Sequence, residues 1–123
     1  MRITRRFTQE GHSAYEGITF KTTSSDIRNP DGSIVFELND IEVPADWSRV
    51  AGDVLAQKYF RKAGVPENRV PVEENSVPSW LWQHEAAPGS PCGGETSARQ
   101  VFDRMCGTWT YWGWKGGYFD SED

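Results

Sequence analysis

The residue types that most often perform chemistry are few in this sequence and widely spaced. Cys92 and Cys106 lie too far apart for a Cys-X-X-Cys redox motif, and two cysteines are too few for a disulfide framework. Together with His12 and His84, they do not form the clustered ligand set of a zinc site. The sequence therefore predicts no metal site, and a disulfide between the two cysteines is disfavoured in a reducing compartment.

Arrangements of acids, bases and nucleophiles give equally little support for catalysis. No GxSxG elbow supports a hydrolase triad, which would have to be selected from Ser24, Ser25, His12, His84 and Asp26. Acid–base catalysis by paired carboxylates needs an environment that shifts one pKa, whereas acidic runs such as Glu73–Glu74 and residues 120–123 are usually hydrated. We predict no catalytic, cofactor-binding or metal-binding residue.

Anionic ligands are also disfavoured. Lys115 precedes Gly116 and Gly117, but the P-loop frame is missing and the glycines follow a predicted helix instead of preceding one. Nucleic-acid binding requires a basic face on the protein, and a chain with a net charge of −5 is not expected to have one. The one basic cluster, formed by Arg2, Arg5 and Arg6, is interpreted as a solvated N-terminus.

An aromatic cluster near the end of the sequence is its most informative feature. Trp109 and Trp112 share one apolar helical stripe, whereas Tyr111 and Trp114 lie off it, where they could meet a second surface. Base stacking, burial within the protein and a partner interface are all compatible with such a cluster, and burial is favoured. The candidate docking surface comprises Trp109, Tyr111, Trp112, Trp114, Tyr118 and Phe119.

The first third of the chain, residues 1–43, is predicted to be extended. The two-residue spacing of Ile3, Arg5 and Phe7, and the apolar alternation from Ile34 to Leu38, are typical of strands. The turn sequence at residues 29–32, Asn-Pro-Asp-Gly, predicts a hairpin whose arms are residues 15–28 and 33–43. Ile34, Phe36 and Leu38 should face inward, and Val35, Glu37 and Asn39 should face solvent.

Two helices follow, separated by a long connection. The first is predicted over residues 44–65, with Asp46 or Ser48 as N-cap. Its apolar stripe is Trp47, Val50, Ala51, Val54, Leu55 and Tyr59; Arg61 and Lys62 are placed in its last turn and Gly64 at its cap.

Residues 66–94 form a Pro-rich connection, and residues 95–123 contain an aromatic-rich helix and an acidic tail. Ser97 and Gln100 have the spacing of a capping box, and Gly116-Gly117 ends the helix. The predicted fold is therefore α+β, in a single domain spanning residues 1–123. No apolar run approaches the length of a membrane span, and no signal peptide is visible, so a cytoplasmic protein is expected.

Three strings of the sequence are distinctive: residues 25–36 (SDIRNPDGSIVF), residues 54–65 (VLAQKYFRKAGV), and residues 97–104 with 107–119 (SARQVFDR and GTWTYWGWKGGYF). These strings resemble one family, the adenosylcobalamin-dependent (class II) ribonucleotide reductases. Together they follow the family's order along nearly the whole chain. Cys106 departs from the family's usual Ala, and the loop around Ser90-Pro91-Cys92 matches no family pattern.

The resemblance implies an N-terminal segment of an enzyme that reduces ribonucleoside di- or triphosphates to DNA precursors. In that family adenosylcobalamin initiates a radical that passes to a cysteine, on a ten-stranded α/β barrel downstream of the matched region. Neither Cys92 nor Cys106 aligns with a catalytic cysteine. The implied role is structural packing on the barrel, in cis or in trans, with the barrel absent from this chain and no cofactor bound by this segment. The alternative is a standalone interaction module derived from this domain.

Overall fold

The computed structural model describes residues 1–122, so Asp123, the last residue of the predicted acidic tail, lies outside the described residues. The chain divides into two compact units that interleave along the sequence. Unit 1 consists of Met1–Gly17, Pro66–Pro91 and the described part of Arg104–Asp123, and unit 2 consists of Ile18–Val65 and Cys92–Asp103. A single domain over residues 1–123 stays a prediction.

The predicted hairpin is the main sheet of unit 2. Strand β1 (Phe20–Arg28) pairs antiparallel with β2 (Ile34–Pro44), in a register that places Ser25 opposite Leu38. The turn forms as its residue types predict: Gly32 adopts a φ of 87°, and the Asp31 carboxylate accepts a hydrogen bond from the backbone N–H of Ser33 at 2.8 Å. Hydrogen bonds from the Ser33 hydroxyl and backbone hold the pKa of Asp31 below its ordinary value.

The two faces of β2 differ as predicted, except near the turn. Phe36 and Leu38 are half-buried, whereas Val35, Glu37 and Asn39 are exposed, as is Ile34. The buried apolar residues of unit 2 are Ile41, Val43, Leu55, Ala56, Phe60, Ala98 and Val101.

Helix α1 (Arg49–Val54) begins at the predicted cap and ends earlier than predicted. The Ser48 hydroxyl accepts a hydrogen bond from the backbone N–H of Ala51 at 3.2 Å. A π-helical turn over Leu55–Tyr59 follows, and the chain becomes extended at Phe60. The predicted helix over residues 44–65 is therefore wrong at its end, and Arg61, Lys62 and Gly64 lie beyond it.

The predicted apolar stripe of this helix is also wrong in part. Val50, Val54 and Tyr59 are exposed, whereas Leu55 is buried as predicted. Three positions outside the predicted stripe, Gly52, Ala56 and Phe60, are buried as well. Gly52 lies against Val43, since a Cβ placed on it would be 3.9 Å from Val43 Cγ1. The face of α1 that packs on the hairpin is therefore the buried one. The wider π turn then shifts the residues after it away from the 3.6-residue period of an α-helix.

In unit 1, residues 1–9 are irregular and residues 10–17 form turns, instead of the predicted strand. The backbone N–H of His12 donates to the carbonyl of Gln9 at 3.2 Å, and that of Glu16 donates to Ser13 at 3.0 Å. Within residues 1–122 no strand pairs with the stretch that contains Ile3, Arg5 and Phe7, so the predicted strand does not form there.

The Pro-rich connection contains short strands that the sequence did not predict. Strand β4 (Arg69–Pro71) pairs antiparallel with β5 (His84–Ala86), and a 3₁₀ turn covers Ser79–Leu81. Strand β3 (Val65–Pro66) pairs with β6 (Cys92–Gly93). Every sheet within residues 1–122 has two strands, so this part of the chain contains no closed barrel and the α+β class is confirmed.

Helix α2 (Ala98–Lys115) begins and ends at the predicted signals. The Gln100 side-chain oxygen accepts a hydrogen bond from the backbone N–H of Ser97 at 2.9 Å, and the Ser97 hydroxyl accepts one from the N–H of Arg99 at 3.2 Å. Gly117 adopts a φ of 71° after the last turn. Both ends of the helix are therefore fixed by local side-chain and backbone chemistry.

Candidate docking surface

The part of α2 that belongs to unit 1 has three faces with different surroundings. Successive helical residues are rotated by about 100°, so neighbours three or four apart share a face. Thr110 and Trp114 occupy the first face, Tyr111 and Lys115 the second, and Trp109 and Trp112 the third. The predicted aromatic surface therefore divides into residues used within unit 1 and residues left open.

Glu74 occupies the second face. The Tyr111 hydroxyl donates to Glu74 Oε2 at 2.7 Å, and the Lys115 ammonium donates to Glu74 Oε1 at 2.5 Å. The hydrogen bond from Lys115, followed by that from Tyr111, lowers the pKa of Glu74. The same contacts with Glu74 raise the pKa of Tyr111 and of Lys115.

The segment that carries Glu74 is held by two indoles as well. Trp114 Nε1 donates to the carbonyl of Ser76 at 2.7 Å, and Trp82 Nε1 donates to that of Val77 at 2.9 Å. Ser76 has a positive φ of 66°, which few non-glycine residues adopt. Tyr111 and Trp114, the residues that lie off the predicted stripe, thus contact a second surface that belongs to the chain itself.

The two aromatic residues after α2 pack back on its last turns. Backbone N–H groups of Gly117 and Tyr118 donate to the carbonyls of Trp114 and Gly113, each at 3.0 Å, which is a Schellman motif. A Cβ on Gly113 would lie 2.6 Å from the Phe119 ring, so only glycine permits this approach. Phe119 is half-buried there, whereas Tyr118 remains 64% exposed.

The third face of α2 stays open. Trp109 is 57% exposed and Trp112 is 64% exposed. Ala98 and Val101 lie on the same stripe nearer the helix N-terminus and are buried. The stripe is therefore continuous in sequence but covered only in its first half.

A cavity of about 220 Å³ lies beside the first face of α2. Apolar side chains form most of its wall. Its lining residues are Met1, Arg2, Ile3, Trp80, Thr110, Trp114, Phe119, Ser121 and Glu122. This volume is below the roughly 300–1,000 Å³ that is typical of ligand pockets.

Comparison with known proteins identifies the family. A family model described as class II vitamin B12-dependent ribonucleotide reductase matches residues 21–123. The chain belongs to this family. Vitamin B12-dependent ribonucleotide reductases from Agrobacterium fabrum and Bradyrhizobium diazoefficiens are each 58% identical to it over 131 aligned residues, covering 100% of this chain. The enzyme from Rhodopirellula baltica is 30% identical over 114 residues, which is 93% of the chain.

The chain corresponds to the N-terminal region of these reductases, as the resemblance implied. It spans 10% of the length of the Agrobacterium and Bradyrhizobium relatives, so most of the enzyme lies outside the sequence described. The relatives at this identity are reductases, which does not favour the alternative of a standalone interaction module.

The family name implies cobalamin for the parent enzyme, and the described residues assign no site to it. Residues 1–122 contain no group of three or more His, Cys, Asp or Glu side chains arranged to hold a metal ion. The His12 ring lies 2.5 Å from Glu16, and the 220 Å³ cavity is far smaller than a corrin with its nucleotide needs. We therefore derive no reaction step through cobalamin on this segment.

Other candidate residues have local roles. Ser25 is buried and its hydroxyl accepts a hydrogen bond from Gln57 at 3.1 Å, while the carboxylate of Asp26 pairs with Arg28 at 2.7 Å. Cys92 and Cys106 are both free thiols and both exposed. Cys106 lies on the half of the helix stripe that is uncovered. No helix within residues 1–122 has the length and apolar character required to span a membrane.

Sequence reasoning missed the role of Glu74, which it assigned to a hydrated acidic pair. Its partners, Tyr111 and Lys115, are 37 and 41 residues away in sequence. No local pattern connects residues at such separations, and the only available signal was the presence of off-stripe polar and aromatic groups on α2.

Proposed function

We propose that this chain is a structural segment of the reductase that packs on the enzyme's catalytic barrel and performs no step of the reaction. The reaction proposed for the whole enzyme is reduction of a ribonucleoside di- or triphosphate to its 2′-deoxy form, with adenosylcobalamin as the radical source. Two findings support this proposal: the chain belongs to the family, and it spans only one tenth of the length of its relatives.

The open stripe of α2 is the observation that carries the proposal. Trp109 and Trp112 expose more than half of their surface although the same stripe is buried nearer the start of the helix. Covering about 100 Å² of each indole is worth on the order of 2–3 kcal/mol per residue. Aromatic residues of this kind are typical anchors of protein interfaces. Tyr118, 64% exposed at the end of the helix, extends the proposed surface.

Titration calorimetry with the barrel polypeptide supplied in trans tests this docking. Replacing Trp109 and Trp112 by Ala removes the proposed anchors and leaves the bonds of Tyr111 and Trp114 in place. We expect the double variant to weaken binding by about 30-fold or more, which corresponds to the roughly 2 kcal/mol of an interface hot spot.

The matched control is Val50→Ala with Val54→Ala, which truncates two exposed apolar residues of α1. This variant should bind as the unmodified chain does. Equal affinities for the tryptophan variant and the unmodified chain would contradict docking through the open stripe, and absence of binding by the unmodified chain would contradict docking altogether.

A further inference from the structure

The first residues of unit 1 form a cationic segment, residues 1–8, which we call the N-terminal arm. It carries Arg2, Arg5 and Arg6 and has no acidic residue, in a chain whose net charge is −5. All three arginines are exposed. Within residues 1–122 none of their guanidinium groups forms an ion pair.

The apolar residues of the N-terminal arm are exposed as well. Phe7 is 97% exposed at a bend in the backbone, and Ile3 is 60% exposed. A fully hydrated Phe contributes nothing to the stability of unit 1, whereas burial of such a ring is worth about 1.5–3 kcal/mol. The arm therefore combines an unused aromatic side chain with unpaired cations.

Contacts at its start fix the N-terminal arm in unit 1, and a local turn follows it. The carbonyl of Met1 accepts a hydrogen bond from the backbone N–H of Asp120 at 3.2 Å, and Ile3 lines the cavity beside Trp114. After the arm, a turn closes with the hydrogen bond from His12 to Gln9. Phe7 thus lies between an anchored start and a local turn, and this order lowers the conformational entropy lost on binding.

We propose that the N-terminal arm is a second docking element, in which Phe7 enters an apolar recess and Arg5 and Arg6 pair with carboxylates on the remaining polypeptide of the reductase. The inference rests on the proposed function, because the partner is the same polypeptide. Arg and aromatic residues are enriched at interface centres, and guanidinium groups favour bidentate carboxylate partners. Nucleic acid is a poor alternative, since the chain's acidic balance repels a phosphate backbone.

Limited trypsin digestion, followed by mass spectrometry, tests this contact in the full-length enzyme. Trypsin cleaves after Arg5 and Arg6, so the rate of cleavage reports whether the N-terminal arm is accessible. We expect cleavage in the full-length enzyme to be at least about tenfold slower than in the isolated chain. Phe7→Ala should restore fast cleavage, whereas Val50→Ala, a change of an exposed apolar residue elsewhere, should not.

Ionic strength tests the charged part of the contact. Raising salt to about 0.5 M screens exposed ion pairs and should reduce the protection, with hydrolysis of a small peptide substrate as reference for trypsin activity. Protection that is unchanged at high salt would overturn the pairing of Arg5 and Arg6 with carboxylates.

Three further results would overturn the inference. They are equal cleavage rates in the isolated chain and the full-length enzyme, protection that survives Phe7→Ala, and protection of the isolated chain that grows with its concentration. The last would assign the arm to a second copy. None of them affects the calorimetric test of Trp109 and Trp112, so failure of the arm and failure of the α2 surface are distinguishable.

Discussion

Single residues decide how the middle of the chain is held on α2, and Glu74 is the clearest case. Its carboxylate accepts hydrogen bonds from Tyr111 and Lys115, and its backbone carbonyl accepts one from Trp82 Nε1 at 3.2 Å. Glu73, its neighbour, is exposed. Two adjacent and chemically identical residues therefore have different roles. The sequence could not separate them, because the difference lies in partners about 40 residues away.

The pH dependence of stability should reveal the Glu74 contact. Because its pKa is lowered from 4.5 in the folded chain, its stabilising contribution is present above that ordinary value and is lost as the pH falls through the lower folded value. The pKa values of Lys115 and Tyr111 are raised from their ordinary values of 10.5 and 10.0. Their contributions to stability are therefore present below those ordinary values and are lost as the pH rises through the higher folded values.

Glu74→Gln tests this prediction, with Glu73→Gln as the matched control. Urea unfolding measured between about pH 3 and pH 5 should show a larger loss of stability on acidification for the unmodified chain than for Glu74→Gln. Glu73→Gln should follow the unmodified chain. Parallel pH curves for the unmodified chain and Glu74→Gln would show that the carboxylate contact does not contribute.

At the scale of the element, the sequence predicted what short-range chemistry determines. The capping box of Ser97 and Gln100 and the Gly116-Gly117 stop lie within one helical turn of the ends they fix, and α2 has the predicted bounds. The end of α1 was wrong because a π-helical turn and contact with the hairpin, both absent from local periodicity, override the pattern. Strand pairing in β4 and β5 was missed for the same reason, since the partners are distant in sequence.

Two glycines of α2 should respond oppositely to substitution by Ala. Gly107 is exposed within the helix and a Cβ on it would meet no atom within 4 Å, so Gly107→Ala should raise the free energy of unfolding by about 0.5–1 kcal/mol. Gly117 has a φ of 71°, a left-handed conformation that costs energy for alanine. Gly117→Ala should therefore lower the free energy of unfolding by about 1–2 kcal/mol.

Chemical unfolding of both variants measures these changes, and each serves as the control for the other. Changes of the same sign at both positions would contradict the assigned helix end.

At the scale of the whole molecule, sequence strings identified the family, and the comparisons confirm it. The interleaving of two units along the chain was not predicted, because it depends on which distant segments pack together. The candidate docking surface was predicted as six aromatic residues. Unit 1 uses Tyr111, Trp114 and Phe119 internally, and Trp109 and Trp112 remain on the open stripe. Sequence periodicity placed these residues on faces but gave no information on which face the chain itself would cover.

We propose that the open stripe of α2 is covered by the rest of the reductase. Hydroxyl-radical footprinting of Trp109 and Trp112, compared between the isolated chain and the full-length enzyme, measures this coverage directly. We expect oxidation of both indoles to fall by about tenfold in the full-length enzyme, because interface anchors lose nearly all of their exposed surface. Equal oxidation rates in the two proteins would contradict the claim.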